Sequence, residues 1–314
     1  VMGSSGTESG VRHFLSIGDL PVEEAIELFR WARLFKQARP HLPQGLGYTL
    51  AHTTWVLLFS KPSTRTRLSF EIAIRELGGE SLFLPFTDLQ LARGESMADT
   101  ARVMGRLAHG AIIRTYAQAE IEEFSRWASI PTVNALSDEE HPCQVLSDIF
   151  SFEEKRGSIQ GKRVAFLGDG SCNVARSWAI AASRFGFDLI IGSPHCFWFP
   201  SPSERVFWTE SPWEAAQEAD LLYTDVWVSM GKEGEKEARE ELLRPYQLRS
   251  ELVKKAKPDV LVFHCLPAYK GKEITAELFE ARAQEILDQA ENRLHVQKAL
   301  LSWLVKKLPS SPGV

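Results

Sequence analysis

The stretch that most constrains this chain is residues 55–79. Residues 55–59 (Trp-Val-Leu-Leu-Phe) form a continuous apolar run that reads as a buried strand, and Pro62 stops it. A helical pattern follows to about Leu77, where Gly78-Gly79 ends it. A strand therefore hands over to a helix N-terminus at Ser63-Thr64-Arg65-Thr66. Free backbone N–H groups and the positive end of the helix dipole point there. The three hydroxyls add donors, and Arg65 adds a planar fork of them. The combination suits a phosphate or carboxylate. The competing reading is a serine cap followed by a surface helix.

At 314 residues the chain has room for two domains of ordinary size. Its 44% hydrophobic and 25% charged residues are those of a globular protein. A net charge of -5 gives no reason to expect nucleic acid as a partner. No apolar run approaches the roughly 20 residues that span a bilayer, so no membrane partner is expected. No signal-peptide pattern opens the sequence, and the small, polar residues 1–10 are left out of the fold. Cys143, Cys172, Cys196 and Cys265 are widely separated, without metal-type spacing. That pattern favours free thiols and a cytoplasmic setting.

Val22, Ala25, Ile26 and Phe29 recur at helical spacing. After the anion-binding turn, residues 81–84 read as a strand, and Gln90 sits in the polar stretch 88–96. A helix with Met97, Ala101, Met104 and Ala108 inward follows. Short apolar strands then end in Arg114 and in Asn134. Polar residues at strand ends are where open α/β sheets put ligands; for Asn134 a structural role is preferred. His141-Pro142-Cys143-Gln144 opens the next helix, with Pro142 at its first position and His141 and Gln144 three apart. A histidine there is biased toward its neutral form and can donate a ring N–H.

A second α/β unit begins at residues 163–167. The turn Gly168-Asp169-Gly170-Ser171-Cys172-Asn173 looks like a dinucleotide fingerprint, yet Asn173 replaces the third glycine and no acidic residue ends the following strand. Nicotinamide binding is therefore disfavoured. Residues 194–213, rich in aromatics and proline, yield no assignment. Two more strands end at Asp225 and at His264-Cys265-Leu266-Pro267. The charge run 232–241 reads as a solvated face or mobile loop. The last helix is expected to start at Asp288.

Five stretches together resemble the aspartate/ornithine carbamoyltransferase family, and its ornithine branch most closely. They are 59–70 (FSKPSTRTRLSF), 141–144 (HPCQ), 225–231 (DVWVSMG), 264–268 (HCLPA) and 288–293 (DQAENR). The resemblance implies two α/β domains, each a mostly parallel sheet flanked by helices, joined by two long interdomain helices. Residues 11–150 would bind carbamoyl phosphate, with the helix 291–308 packed back on them, and residues 151–290 would bind ornithine. It also implies a homotrimer or an assembly of trimers. The implied reaction transfers the carbamoyl group of carbamoyl phosphate to the δ-amine of L-ornithine, without metal or organic cofactor.

By the same resemblance, Ser63, Thr64, Arg65 and Thr66 bind the phosphate. Arg114, His141, Gln144 and Arg293 hold the carbonyl and phosphate ends, and Gln90 belongs to a loop that reaches a neighbouring subunit's site. Asn173, Asp225, Ser229 and Met230 hold ornithine. Cys265 and the backbone of Leu266 lie between the substrates, and the residues expected to take part in the chemistry are Arg65, Arg114, His141, Asp225 and Cys265. Cys265, with Asp225 nearby, is expected to orient or accept the amine's proton; a nucleophilic pair with His264 is the competing view, and adjacent strand residues facing opposite ways argue against it. Cys172 stands where the family has asparagine, which is expected to loosen that turn. Against the family pattern, residues 194–213 are expected to be shortened and to lack its usual helix. A sister enzyme using putrescine or an N-acylated ornithine, and a non-catalytic carbamoyl-phosphate-binding relative, are the alternatives.

Overall fold

The computed structural model describes residues 10–42, 46–228, 234 and 236–306. The chain forms two compact units: Val1–Asp19, Ile26–Asp138 and Leu294–Val314 make up one, Leu20–Ala25 and Glu139–Arg293 the other.

In the first unit the order is α1 (Val22–Ala38, shared with the second unit), β1 (Thr54–Phe59), α2 (Thr64–Glu76), β2 (Glu80–Pro85), α3 (Met97–Leu107), β3 (Gly110–Arg114), α4 (Gln118–Ala128) and β4 (Thr132–Leu136). The strands form one sheet in the order β2-β1-β3-β4, every neighbouring pair parallel. β1 and β3 are apolar and buried almost throughout, as central strands covered on both faces must be. β2 lies at an edge, and its exposure alternates along the strand. Val56, Leu58, Ile113, Ile121 and Phe124 make one core on a single face of the sheet. α3 and α4 approach closely at Gly105, where a Cβ would meet the Ala128 carbonyl oxygen at 1.9 Å. The chain leaves β1 toward β2 on one side and returns to β3 on the other, so strand order reverses between β1 and β3.

The second unit contains α5 (Pro142–Arg156), β5 (Arg163–Leu167), α6 (Asn173–Phe185), β6 (Asp188–Gly192), β7 (Val206–Thr209), α7 (Pro212–Ala216), β8 (Leu221–Thr224), α8 (Lys236–Leu243), α9 (Ser250–Val253), β9 (Leu261–His264), α10 (Ala276–Ala281) and α11 (Ala283–Leu304). α11 continues into the first unit, where Lys298 Nζ donates to Glu76 at 2.6 Å. The residue-150 boundary expected from sequence falls within α5. The sheet order is β7-β6-β5-β8-β9, again all parallel, and the reversal lies between β5 and β8.

Three local expectations change. α11 starts at Ala283, a turn and a half before Asp288, because Arg282 Nη1 and the following Glu285 pair at 2.7 Å across its first turn. Residues 194–213 contain the edge strand β7, which pairs with β6, and Trp208 stacks on Trp198 with ring centroids 5.4 Å apart. The charge run is not wholly a solvated face: α8 occupies part of it, and its Arg239 is buried.

Candidate active site

The expected anion-binding turn sits at the strand-order reversal of the first unit. Ser63 is the N-cap of α2, extended at φ -160° and ψ 118°, and its hydroxyl accepts from the Thr66 N–H at 3.2 Å. Gly78, at φ +81°, follows the C-cap at Leu77. Thr66 is buried, Ser63 and Arg65 are half-buried, and Thr64 is exposed. Register does the rest: Phe59 of β1 is the partner of Arg114 of β3, and the Ser60 N–H donates to the Arg114 carbonyl at 2.8 Å. Two segments distant in sequence thus deliver a helix N-terminus, hydroxyls and two guanidinium residues to the carboxyl edge of one sheet. Lys61 joins them. It is buried against the Tyr116 ring, 4.0 Å from its centroid, and ion-pairs with Asp138. Sequence reasoning gave Lys61 no role, although a lysine between a buried strand and a helix start was a visible signal. Gln90 lies in an exposed 3-10 turn, Gln90–Arg93. Asn134 is internal to β4, where its Nδ2 donates to the Leu15 carbonyl and to Gln118, each at 2.9 Å. Its role is structural.

The second unit gathers another set. His141 is the N-cap residue of α5, with Pro142 first in the helix, and its backbone N–H donates to Ser177 Oγ at 2.8 Å. Its side chain and that of Arg293 are buried. Gln144, a turn further on, donates from Nε2 to Asp148 at 2.8 Å. At the reversal between β5 and β8, Leu167 pairs with Thr224, and Thr224 with His264 of β9. Asp225 and Cys265 therefore leave adjacent strands side by side. The Cys265 thiol donates to Asp225 Oδ1 at 2.8 Å. Burial raises the Asp225 carboxyl above the usual carboxylate range, while nearby His264 and hydrogen bonds from Cys265 and the Val226 N–H oppose the rise. Burial and the adjacent Asp225 push the Cys265 thiol well up. One negative charge fits this pair and two do not, so Cys265 is a thiol donor at neutral pH rather than a base.

His264 faces elsewhere. Its Nδ1 accepts from the Leu266 N–H at 2.8 Å, which leaves the proton on Nε2 for Glu273 at 3.0 Å. The histidine thus holds a tight turn in which Leu266 has φ +59°. A Cys265–His264 nucleophilic pair is absent from this geometry. The Leu266 N–H is thus used inside the protein.

The glycine-rich turn after β5 serves the fold. Gly168 has φ +129°, and a Cβ on Gly170 would meet Trp208 at 2.7 Å and Ser193 Oγ at 2.9 Å. Asp169 accepts from the Ser171 hydroxyl at 2.7 Å and is ion-paired with Arg239 of α8, both side chains buried. Arg239 Nε also donates to the Trp227 carbonyl at 3.1 Å. Cys172 caps α6, with its Sγ accepting from the Ala175 N–H at 3.4 Å. Asn173 is the first residue of that helix. Ser229 and Met230 lie outside the described residues. Among the described residues no cluster of three or more His, Cys, Asp or Glu is placed to hold a metal ion, and no helix is long and apolar enough to cross a membrane.

Two parallel sheets, each with its polar residues at the carboxyl edge beside a strand-order reversal, define a two-domain α/β protein with ligand-binding sheet edges. The chain belongs to the aspartate/ornithine carbamoyltransferase family: residues 12–154 match its carbamoyl-P binding domain and residues 160–304 its Asp/Orn binding domain. The chain is 47% identical over 302 residues to an ornithine carbamoyltransferase of Akkermansia muciniphila, covering 94% of this chain and 98% of that one. It is similar to the structure of ornithine carbamoyltransferase from Pyrococcus furiosus, with a TM-score of 0.84 and 40% identity over 92% of this chain and 96% of that one. The anabolic ornithine carbamoyltransferase of Campylobacter jejuni superposes with a TM-score of 0.87 at 37% identity, covering 94% and 99% of the two chains.

Proposed function

We propose that this chain transfers the carbamoyl group of carbamoyl phosphate to the δ-amine of L-ornithine, giving L-citrulline and phosphate. The observation that carries this reading is the Asp225–Cys265 pair: a buried carboxylate at the carboxyl edge of the second sheet. Such a group attracts an amino-acid ammonium and repels the extra carboxylate of aspartate, which favours ornithine among the acceptors of the family. The names of the relatives support the same choice.

In this reading residues 11–150, with the C-terminal part of α11, serve carbamoyl phosphate and residues 151–290 serve ornithine. Ser63, Thr64, Arg65 and Thr66 hold the phosphate, helped by Gln90. Arg114, His141, Gln144 and Arg293, with the Leu266 backbone, hold the rest of carbamoyl phosphate. Asn173 and Asp225, with Ser229 and Met230, hold ornithine. The δ-ammonium first loses one proton to solvent. The neutral amine attacks the carbonyl carbon, the C–N bond forms, and the C–O bond to phosphate breaks with its electron pair leaving on phosphate. The second amine proton departs with it as hydrogen phosphate. Arg65, Arg114, Thr66 and His141 stabilise charge as it grows on the carbonyl oxygen and the leaving group. Cys265 keeps its proton and orients Asp225 through the S–H bond.

Assembly as a trimer would cover exposed apolar residues of the first unit. Leu68, Leu82, Val103 and Leu107 are more than half exposed, and β2, which carries Leu82, is an edge strand. Four cysteines outside any disulfide fit a cytoplasmic setting.

The test measures ureido product from carbamoyl phosphate with equal concentrations of L-ornithine, putrescine, N-acetyl-L-ornithine, N-succinyl-L-ornithine and L-aspartate. A strong preference for L-ornithine is expected. Preference for another amine would overturn the acceptor and leave the carbamoyl phosphate half standing. Tight carbamoyl phosphate binding without turnover would make the chain a binding protein.

A further inference from the structure

Asp148 lies on α5, fully buried, one helical turn beyond Gln144. Its carboxylate is the meeting point of three donors. Gln144 Nε2 reaches Oδ1 at 2.8 Å, Gln289 Nε2 reaches the same oxygen at 2.7 Å, and the Tyr223 hydroxyl reaches Oδ2 at 2.7 Å. Gln289 passes the restraint on, because its Oε1 accepts the His264 backbone N–H at 3.0 Å. Tyr223 lies on β8, two residues before Asp225. One carboxylate thus braces three segments that each carry candidate site residues.

The consequence for Gln144 is chemical. An ionised carboxylate only accepts, so the carboxamide must turn its NH₂ toward Asp148. That leaves Gln144 Oε1, the other branch of the planar carboxamide, pointing away from Asp148. Gln144 is 1% exposed, and this oxygen is buried with no hydrogen-bond partner. A buried acceptor without a donor is a group awaiting one. Burial pushes the Asp148 carboxyl up to about 6, with the three donors and Arg293 opposing the rise. It is ionised at pH 8.

We propose that Asp148 is a positioning residue that turns the Gln144 carboxamide so that its carbonyl oxygen meets the amino group of carbamoyl phosphate, and thereby selects a carbamoyl over an acyl phosphate. The inference rests on the reading that this protein binds carbamoyl phosphate. Without Asp148 the two orientations of the near-symmetric carboxamide become comparable, and the flipped one sets NH₂ against NH₂. A methyl in place of the ligand's NH₂ leaves Oε1 unpaired, and sites built around a hydrogen bond reject analogues lacking the group.

The test is calorimetric binding at pH 8 of two stable, nearly isosteric probes, phosphonoacetamide and phosphonoacetone, alongside inorganic phosphate. The wild-type protein is expected to bind the amide at least ~10-fold tighter than the ketone, the worth of one good hydrogen bond. In Asp148→Asn the preference should fall to within about threefold while inorganic phosphate affinity changes by less than about twofold, since only the fixed orientation is lost. The double variant Asp148→Asn/Gln144→Glu reverses donor and acceptor between the two side chains and still turns an oxygen to the ligand. Its added charge weakens all three ligands, yet the amide preference should return. It carries the test alone if the single variant does not fold. An unchanged preference in Asp148→Asn, equal weakening of all three ligands, or a double variant without preference each overturns the proposal. Wild-type binding of phosphate with no amide preference overturns it too, with the functional reading intact. Wild-type failure to bind phosphate or phosphonoacetamide overturns the functional reading itself.

Discussion

At the scale of single residues, this protein arranges charge by burial and pairing more than by unusual side chains. Arg114 is brought to the helix N-terminus of α2 by strand register alone, as Phe59 and Arg114 are partners. Replacing Arg114 with Met should lower kcat by roughly 10²–10³-fold, the range for losing one preorganised donor, as steady-state assay would show. Cys265 differs from a reactive cysteine in its company: Asp225 beside it holds the proton on sulfur. Thiol labelling at pH 7.5 followed by mass spectrometry should modify exposed Cys196 first. Cys265 and buried Cys143, whose thiol is pushed up to about 12, should lag far behind. Rapid labelling of Cys265 would contradict the thiol assignment. The family resemblance placed Asp225 near Cys265, but which of the two keeps the proton was not readable in the linear order. The motif residues Asp225 and Cys265 stand forty positions apart, and only the β8–β9 pairing makes them neighbours.

At the scale of elements, the segments whose information is local were legible. The β1–α2 hand-over, its Ser63 cap and its glycine stop are written in adjacent residues, and so are Pro142 at the head of α5 and the strands leading to Asp225 and Cys265. Segments stabilised from a distance were not. β7 exists through pairing with β6 and packing of Trp208, and α8 is anchored by Arg239 reaching Asp169 at the far end of another turn. The failed dinucleotide fingerprint thereby acquires a structural use: it receives α8. Arg239→Met leaves the Asp169 charge buried without its cation and should cost about 3–5 kcal/mol in urea denaturation. Exchanging both residues for apolar ones should cost far less. If the single and double variants were equally destabilised, the ion pair would not be what anchors α8.

At the scale of the whole molecule, two predictions concern assembly and acid response. Leu107, three-quarters exposed on α3, is the most exposed large apolar residue among those described. Leu107→Asp should reduce the mass seen by light scattering if that face joins copies of the chain, with the monomer's circular dichroism retained. Asp148 contributes to stability in the opposite sense to most carboxylates. Its folded value, about 6, lies above the ordinary 3.8, so the native state holds this proton more tightly than the unfolded chain does. Its stabilising contribution is fully present below about pH 3.8 and lost as pH rises through about 6, a change of ~3 kcal/mol. Comparing urea stabilities of wild type and Asp148→Asn between pH 4 and 7 isolates it, and a pH-independent difference would refute it. The sequence by itself determined the class of this protein, because strand-to-helix hand-overs, caps and the polar residues at their junctions are contiguous in the chain. Only the tertiary structure decided that Asp148 braces three segments, that Cys265 remains protonated, and that His264 holds a turn. Those outcomes depend on desolvation and on partners brought together by parallel strand pairing, and neither is a property of residues adjacent in the chain.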